Sequence, residues 1–242
     1  MPPPSVTTRE WLERDGFLVN ARLSELGLRH GVTTRRLGNM KDAARRREAA
    51  AKLGLPEPMT LNQVHGTIVH RAVHSAPGLE GDGWILGPDD EGRSVAVYAA
   101  DCVPLFLWSD GGKTAGVFHA GWRGTAAGMA LHAATAMWKF LGIEPERLFA
   151  AAGPHIGPCC YKVGAEFEND FPASSFLRRG GDLFLDLAAE TNRQLRSAGL
   201  RPERISTVAP CTASHPDDYF SFRRDKRDAR MLALLSLEKW PS

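Results

Sequence analysis

Three closely spaced apolar runs constrain the fold of this chain more than any other feature. They lie at 94–101, 103–108 and 114–119. The letters SDGG at 109–112 form a turn signal, so the second and third runs are predicted to pair as a β-hairpin. Cys102 directly follows the first run and His119 ends the third. Both side chains are therefore expected near neighbouring strand ends, at one edge of a sheet.

A glycine-bearing turn follows His119 and leads into a helix-like tract. The letters AGWRGT occupy 120–125, and a helix is predicted over 124–141, where apolar residues recur at helical spacing. The free N–H groups at a helix start favour an anion. Arg123 stands at this start and is a candidate phosphate contact.

The remaining patterns predict more helices and strands. Helices are predicted at 42–53, 163–171 and 186–198. Strands are predicted at 32–34, 147–152, 183–185 and 204–208, with two more inside 59–74 that bend at Gly66. The segment 230–237 fits a strand or a helix equally. Together these patterns predict one α+β domain over residues 1–242, with mixed β-sheets layered with helices and residues 1–25 as a lead-in.

Charge and cysteine usage exclude several classes of protein. The net charge of +2 is too small to indicate nucleic-acid binding. No run approaches the roughly 20 apolar residues of a membrane span, and the N-terminus lacks the apolar core of a signal peptide. Four cysteines in 242 residues do not suggest a disulfide scaffold, so a reducing, cytoplasmic setting is expected. Adjacent Cys159 and Cys160 are expected to be merely packed in their Gly/Pro loop.

Three residues from distant parts of the sequence share one local setting. His65, Cys102 and His119 each follow a β-like run and precede a turn residue or proline. Two imidazoles and one thiolate would suit a borderline-soft cation such as zinc, with a fourth position open for water or substrate. Taken singly, a buried histidine is more often hydrogen-bonded in a core, and a lone cysteine is more often a small hydrophobe.

Charged residues beside this set suggest additional roles. Asp101 ends an apolar run next to Cys102, and a buried carboxylate needs a partner, such as a histidine to orient or an arginine. Arg223 and Arg224 lie in a loop flanked by aromatic residues and, with Arg123, can hold a phosphate. The competing interpretation of this pair is a solvated basic loop.

Five motifs stand in a characteristic order. They read QVHG at 63–66, ADCVP at 100–104, HAGWRG at 119–124, GPHIGPCCY at 153–161 and FSFRRD at 220–225. This set resembles the YfiH/LACC1 family of laccase-domain proteins, which also carry the names polyphenol oxidase and purine nucleoside phosphorylase. The resemblance extends from about His30 to the C-terminus.

The resemblance implies a fold, a metal site and a set of activities. The fold would be a layered α/β arrangement shared with cytotoxic-necrotising-factor deamidases. A zinc or copper ion would be bound by His65, Cys102 and His119. The implied activities are phosphorolysis of adenosine, inosine and methylthioadenosine, deamination of adenosine, and oxidation of phenols. Gln63 and Asp82, which lie in or beside the matching segments, join the expected substrate contacts.

One segment departs from the family pattern. Members usually carry a glycine-rich segment, followed by a stretch rich in Ser and Asn, after the Thr-Arg that matches residues 34–35. Here the letters RLGNM at 36–40 run almost directly into the predicted helix. A shortened segment beside the pocket would change the substrate range.

The residues also rank the implied activities. Multicopper oxidases hold their copper with many histidines, commonly in His-x-His pairs, and none of the eight histidines here forms such a pair. Oxidation of phenols by a single copper ion therefore ranks second. The cytidine-deaminase zinc motif is also absent, so any deamination would be of another kind, with Asp101 or Asp82 moving protons. Phosphorolysis fits the residue types best, because Arg123 and Arg224 can hold the phosphate.

Two more functions remain open. Cys102 and His119 can act without metal as a thiol–imidazole pair in a hydrolase or deamidase. A zinc-stabilised interaction module is the non-enzymatic function. The sequence favours a cytoplasmic metalloenzyme that acts on a purine nucleoside and phosphate, with zinc as its cofactor and copper as the alternative. The predicted catalytic residues are Cys102, His119, His65 and Asp101, and the predicted substrate contacts are Arg123, Arg224, Asp82 and Gln63.

Overall fold

Two β-sheets pack face to face in the computed structural model of the protein, which describes residues 10–75 and 78–239. Residues 1–9, the first part of the predicted lead-in, lie outside the described residues. The strands are β1 Trp11–Arg14, β2 Phe17–Asn20, β3 Leu28–Thr33, β4 Val69–Arg71, β5 Gly83–Leu86, β6 Ser94–Ala99, β7 Val103–Ser109, β8 Ala115–Ala120, β9 Leu148–Ala152, β10 Lys162–Val163, β11 Phe176–Arg179, β12 Asp182–Leu185, β13 Ile205–Ser206 and β14 Met231–Lys239.

Short helices connect these strands. They are α1 Ala21–Glu25, α2 Ala43–Lys52, α3 Trp122–Ala126, α4 Met129–Leu141, α5 Leu187–Ser197 and α6 Phe222–Asp225. Aspartates cap two of them, because a side-chain oxygen there can accept an otherwise unpaired N–H. The Asp42 carboxylate accepts from the backbone of α2, and the Asp186 carboxylate accepts from the N–H of Ala189 in α5. None of the described helices is both long and apolar enough to span a bilayer.

The strands form three sheets. The first sheet has the order β1-β2-β3-β14-β6 and is antiparallel throughout. The second sheet has the order β13-β9-β7-β8-β5-β4 and is parallel only at its two edge pairs. A small third sheet, β10-β12-β11, lies outside these two.

Alternation along the central strands divides the apolar side chains among the layers. On β7, Phe106 and Trp108 point between the first and second sheets, whereas Leu105 and Leu107 pack against α4 and α5. On β14, Leu234 points to the face of the first sheet that lies away from the second sheet, into a small core beneath α2. Because successive residues of a strand point to opposite faces, each central strand serves two cores. The resulting order is α2, first sheet, second sheet, then α4 with α5.

Several sequence predictions are confirmed. The hairpin is formed by β7 and β8, whose register pairs Pro104 with His119. Predicted helices at 42–53 and 186–198 correspond to α2 and α5, and the predicted strand at 147–152 corresponds to β9. The α+β class with mixed sheets layered with helices is likewise confirmed.

Some predictions were wrong in their local detail. The helix predicted over 124–141 is two helices, α3 and α4, separated at Gly128, whose φ of 85° cannot continue a right-handed helix. The two strands predicted inside 59–74 are one, β4, because the β-rich stretch before it is a loop that single bridges join to β6 and to Glu80. Much of the helix predicted over 163–171 is a single 3-10 turn, Ala165–Asn169.

Several segments contain elements that the sequence did not predict, among them strand β5 and helix α6. The described part of the lead-in contains β1, β2 and α1, with Trp11 fully buried between the sheets. Strand β11 was not predicted at all. The undecided segment 230–237 is strand β14, which is apolar on both faces because it lies inside the first sheet with a core on either side.

Phe106→Ala tests the core between the two sheets. Phe106 is fully buried and its ring contacts Trp11 and His30. The substitution is expected to lower the free energy of unfolding by about 3–5 kcal/mol, because it removes a buried ring and leaves a cavity. Denaturant-induced unfolding measures the change. Phe140→Ala on the outer side of α4, where Phe140 is 55% exposed, is the matched control and should change little.

Candidate metal and substrate site

Three side chains from separate elements converge at one end of the second sheet. His65 lies in the loop before β4, Cys102 lies in the turn between β6 and β7, and His119 lies on β8. Their potential ligand atoms all lie within 4.8 Å of one another. The two imidazole rings meet edge to face, with centroids 4.8 Å apart. The structure thus brings together the three residues that the sequence singled out, although His65 belongs to a loop rather than to a strand end.

Because Gly121 has no side chain, it leaves the space in which these three side chains meet. Gly121 directly follows β8, and a Cβ atom built on it would lie 2.9 Å from Cys102 Sγ and 2.9 Å from His65 Cδ2. Both distances are shorter than real carbon contacts allow, so a larger residue would push the three side chains apart. The glycine of the turn is therefore required by close approach.

Asp82 links the two histidines through hydrogen bonds. Its side chain is fully buried, and its Oδ1 lies 2.8 Å from His119 Nδ1. The same carboxylate accepts the backbone N–H groups of His65, at 3.0 Å, and Gly66, at 2.7 Å. These bonds hold His65 at φ 59°, in the left-handed region that non-glycine residues rarely adopt. With Nδ1 of His119 engaged by Asp82, Nε2 is the nitrogen left for a ligand or a proton.

Two of the three residues, Cys102 and His119, also form a charge pair. Burial raises the pKa of the Cys102 thiol, but the charges and hydrogen bonds of His119 and His65 outweigh burial and lower that pKa to about 6. Burial lowers the pKa of His119, but the Cys102 thiolate and Asp82 outweigh it and raise that pKa to about 9. Between these values the ion-free site holds a thiolate beside an imidazolium. A thiolate is the form of cysteine that binds metals and attacks electrophiles.

Asp101 does not contact either histidine of the site. Its Oδ1 accepts the Thr212 hydroxyl at 2.6 Å, and its Oδ2 accepts the backbone N–H of Arg223 at 2.7 Å. These bonds hold Asp101 at φ 93° in the turn that presents Cys102. The carboxylate that orients a site histidine is therefore Asp82, and Asp101 instead joins this turn to the C-terminal loops.

A pocket of about 800 Å³ opens over the three side chains. This volume lies in the range of small-molecule sites. Its basic lining residues are Lys41, Arg123, Arg223, Lys226 and Arg230. Its aromatic lining residues are Tyr98, Trp122, Tyr161 and Phe222. The walls thus offer flat apolar surfaces for a ring and positive charge for an anion.

The predicted substrate contacts take different positions. Arg123 lines the pocket, with its guanidinium 4.4 Å from the centre of the Trp122 ring. Gln63 also lines it, but both ends of its amide bond the backbone of Tyr98, at 2.9 and 2.6 Å. Asp82 lies fully buried beneath the histidines. Gln63 and Asp82 therefore support the site rather than present free groups to a ligand.

Arg224 faces away from the pocket. Its guanidinium forms a two-pronged ion pair with Asp225, at 2.6 and 2.7 Å. It also donates to the carbonyls of Thr212, Ala213 and Tyr219. The expectation that Arg224 contacts substrate is corrected on this ground, because its donors are already used within the chain. Its neighbour Arg223 lines the pocket, 4.8 Å from the centre of the Tyr161 ring.

Several pocket residues were missed by the sequence predictions. Tyr161 and Phe222 stand inside the matching motifs, so a signal for them existed. Lys41 and Arg230 carry no such signal, because the fold brings them to the pocket from the segment before α2 and from the residue that precedes β14.

Comparisons with known proteins show the family of this chain. Residues 30–238 match the family described as multi-copper polyphenol oxidoreductase laccase. Over 243 residues, the chain is 33% identical to a purine nucleoside phosphorylase of Deinococcus radiodurans, covering 90% of this chain and 92% of that protein. Over 200 residues, it is 33% identical to the purine nucleoside phosphorylase YlmD of Geobacillus stearothermophilus, covering 74% and 72%. The crystal structure of that YlmD superposes with a TM-score of 0.83 at 29% identity, covering 94% of this chain and 98% of that one.

Alkylation of Cys102 tests the charge pair. In chelator-treated protein, the rate of reaction of Cys102 with iodoacetamide is expected to rise with a midpoint near pH 6, because the thiolate is the reactive form. Mass spectrometry of the peptide that contains Cys102 measures the rate. His119→Ala removes the neighbouring positive charge and should move the midpoint upward. A wild-type midpoint near the ~8.5 of an ordinary thiol would contradict the charge pair.

Proposed function

Because the chain belongs to the laccase family matched by residues 30–238, and because the relatives described above carry the name purine nucleoside phosphorylase, we propose that it is a metal-dependent purine nucleoside phosphorylase. The observation that carries this proposal is the convergence of His65, Cys102 and His119 beneath a pocket with aromatic and basic walls. A nucleoside needs a surface for its ring, and inorganic phosphate needs positive charge. The pocket supplies both.

The three converging residues fit a metal ion. Two imidazoles and a low-pKa thiolate are the donors that zinc prefers, and copper is the alternative. Gly121 leaves the space between them open, and Asp82 fixes the ring orientation of His119 as a ligand histidine requires. A bound ion would act as a Lewis acid that polarises an oxygen or nitrogen of the substrate.

The residues around the ion site supply the phosphate subsite. Arg123 is exposed at the mouth of the pocket, in the first turn of α3. Arg223 and Lys226 line the pocket from the opposite segment. Guanidinium and ammonium groups placed around a phosphate dianion hold it with charge-assisted hydrogen bonds. In phosphorolysis, a phosphate oxygen forms a bond to C1′ of the ribose while the C1′–N9 bond breaks and its electron pair leaves with the purine.

The aromatic residues supply the purine subsite. Trp122 and Tyr161 line the pocket beside Cys102 and offer faces on which a purine can stack. Burial, together with the charges of Cys102 and Asp101, raises the pKa of Tyr161 to about 12 despite nearby Arg223. Its phenol therefore keeps its proton at neutral pH and can donate a hydrogen bond to the departing base. Such a bond stabilises the charge that develops on the purine.

One observation favours a second candidate. The Cys102–His119 charge pair has the composition of a thiol–imidazole dyad, which can attack an amide or ester without any metal. Adenosine deamination at the metal site and copper-dependent oxidation of phenols are the two remaining candidate reactions. The products of all these reactions differ, so one set of incubations separates them.

Product analysis with adenosine tests the proposal. Zinc-loaded protein is expected to form adenine and ribose 1-phosphate only when phosphate is present, and Cys102→Ala is expected to abolish this activity because the ion loses its thiolate. Chromatography of the products measures both. Ser174→Ala, on an exposed surface position, is the control and should retain full activity.

A different product would redirect the assignment. Inosine formed without phosphate indicates deamination, and phenol oxidation seen only after copper loading indicates an oxidase. Turnover of amides or esters by chelated protein indicates the thiol dyad. Full phosphorolysis by Cys102→Ala would refute the site itself.

Two arginine substitutions test the phosphate subsite. Arg123→Ala is expected to raise the KM for phosphate by roughly 10–100-fold, the value of a hydrogen bond to a charged group. Arg224→Ala is expected to leave that KM near the wild-type value and to lower the melting temperature instead, because it removes bonds that hold the C-terminal loops. Steady-state kinetics and thermal unfolding measure the two effects. Lys139→Ala, exposed on α4, is the charge-matched control.

The opposite pattern would count against this placement. A raised KM in Arg224→Ala with none in Arg123→Ala would show that phosphate binds on the other side of the loop.

A further inference from the structure

A second group of sulfurs lies apart from the His65, Cys102 and His119 site. Cys159 and Cys160 lie in the turn that follows β9, and Cys211 lies in the segment between β13 and α6. The three Sγ atoms all lie within 4.8 Å of one another. The sequence suggests that the adjacent pair is merely packed, but the fold places a third thiol beside it from about fifty residues further along the chain.

Backbone bonds bring the two segments together. The N–H of His155 donates to the carbonyl of Pro210 at 3.3 Å, and the N–H of Thr212 donates to the carbonyl of His155 at 2.9 Å. The carbonyl of Gly157 accepts the N–H of Cys160 at 3.0 Å, which closes the turn. Cys211 is thus held opposite the turn by a short β-bridge, and its position does not depend on any bond between sulfurs.

The sulfur geometry fits one shared ion. Cys159 Sγ and Cys160 Sγ lie 3.5 Å apart, so both side chains of an adjacent pair face the same point. At a zinc–sulfur distance of about 2.3 Å, sulfurs bound to one ion lie roughly 3.8 to 4.0 Å apart. The 3.5 Å separation lies slightly below this value, the other two separations do not exceed 4.8 Å, and none of the described cysteines is in a disulfide.

The sulfurs are accessible to an approaching cation. Cys159 is exposed and the other two thiols are half-buried, so solvent ions reach the sulfurs. The N–H of Gly157 donates to Cys211 Sγ at 3.2 Å, which favours the thiolate form of that ligand. No side-chain nitrogen or carboxylate belongs to this group of ligand atoms among the described residues. An all-sulfur set selects soft, thiophilic ions over magnesium or calcium.

We propose that Cys159, Cys160 and Cys211 form a second metal site, which binds a soft thiophilic cation, Zn²⁺ or Cu⁺, through three sulfurs. Binding forms three sulfur–metal bonds and releases the thiol protons to solvent, with no change in oxidation state. The ion clamps the turn before Tyr161 to the segment that carries Thr212, whose hydroxyl bonds Asp101 next to Cys102. The site is independent of the proposed activity and braces the wall of the pocket.

Zinc stoichiometry in two variants tests this site. The background variant Cys102→Ala/His119→Ala lacks two donors of the first site and keeps all three cysteines of the second. After reduction, incubation with Zn²⁺ and gel filtration, it is expected to retain about one zinc per chain by elemental analysis. Adding Cys159→Ser and Cys211→Ser to this background is expected to remove that zinc. Circular dichroism confirms that both variants fold.

Spectroscopy and a second ion complete the test. Co²⁺ in the background variant should give thiolate-to-cobalt charge-transfer absorption, which the serine variant should lack. Cu⁺, supplied against a chromogenic chelator, should likewise be captured by the background variant only. Retention of neither Zn²⁺ nor Cu⁺ by the folded background variant, or equal retention by the serine variant, would overturn the proposal.

Discussion

The buried carboxylate of Asp82 is the contact on which the rest of the site depends. It has no access to solvent, so its charge is stabilised only by the groups around it, namely the His119 imidazole and two backbone N–H groups of the preceding loop. Burial raises the pKa of this carboxyl, but those partners outweigh burial and lower it. The same three bonds place His65 and His119 around one point.

That arrangement explains how a loop and a hairpin share one site. His119 is positioned by the register of β7 and β8, whereas His65 has no strand of its own and takes its position from Asp82. Cys102 is presented by a turn whose unusual backbone is held from the other side by Thr212 and Arg223. Asp82 thus holds both histidines, with His119 also fixed by strand register, whereas Cys102 depends on the bonds that hold its turn. The site is assembled from distant sequence because no single element carries it.

The sequence predicted the hairpin and the convergence of His65, Cys102 and His119, because turn chemistry and alternation are local signals that survive in the fold. The sequence predictions failed where long-range contacts determine the structure. The loop before His65 alternates like a strand, yet it pairs only through single bridges. Nothing local distinguishes Arg223 from Arg224. The Asp225 ion pair and three backbone carbonyls hold the Arg224 guanidinium within the chain, whereas Arg223 lines the pocket. Long-range contacts likewise distinguish Asp82, which bonds His119, from Asp101, which bonds Thr212 and Arg223.

The position of β14 has a consequence for how this protein is made. It lies between β3 and β6, pairing Ala233 with both Val32 and Val97, although it follows every other described strand in the sequence. During synthesis, the first sheet is therefore incomplete until this segment leaves the ribosome. Until then, the apolar edges of β3 and β6 that pair with β14 are unpaired. A nascent chain in that state is prone to edge-to-edge association, so chaperone protection is most needed before the β14 segment emerges.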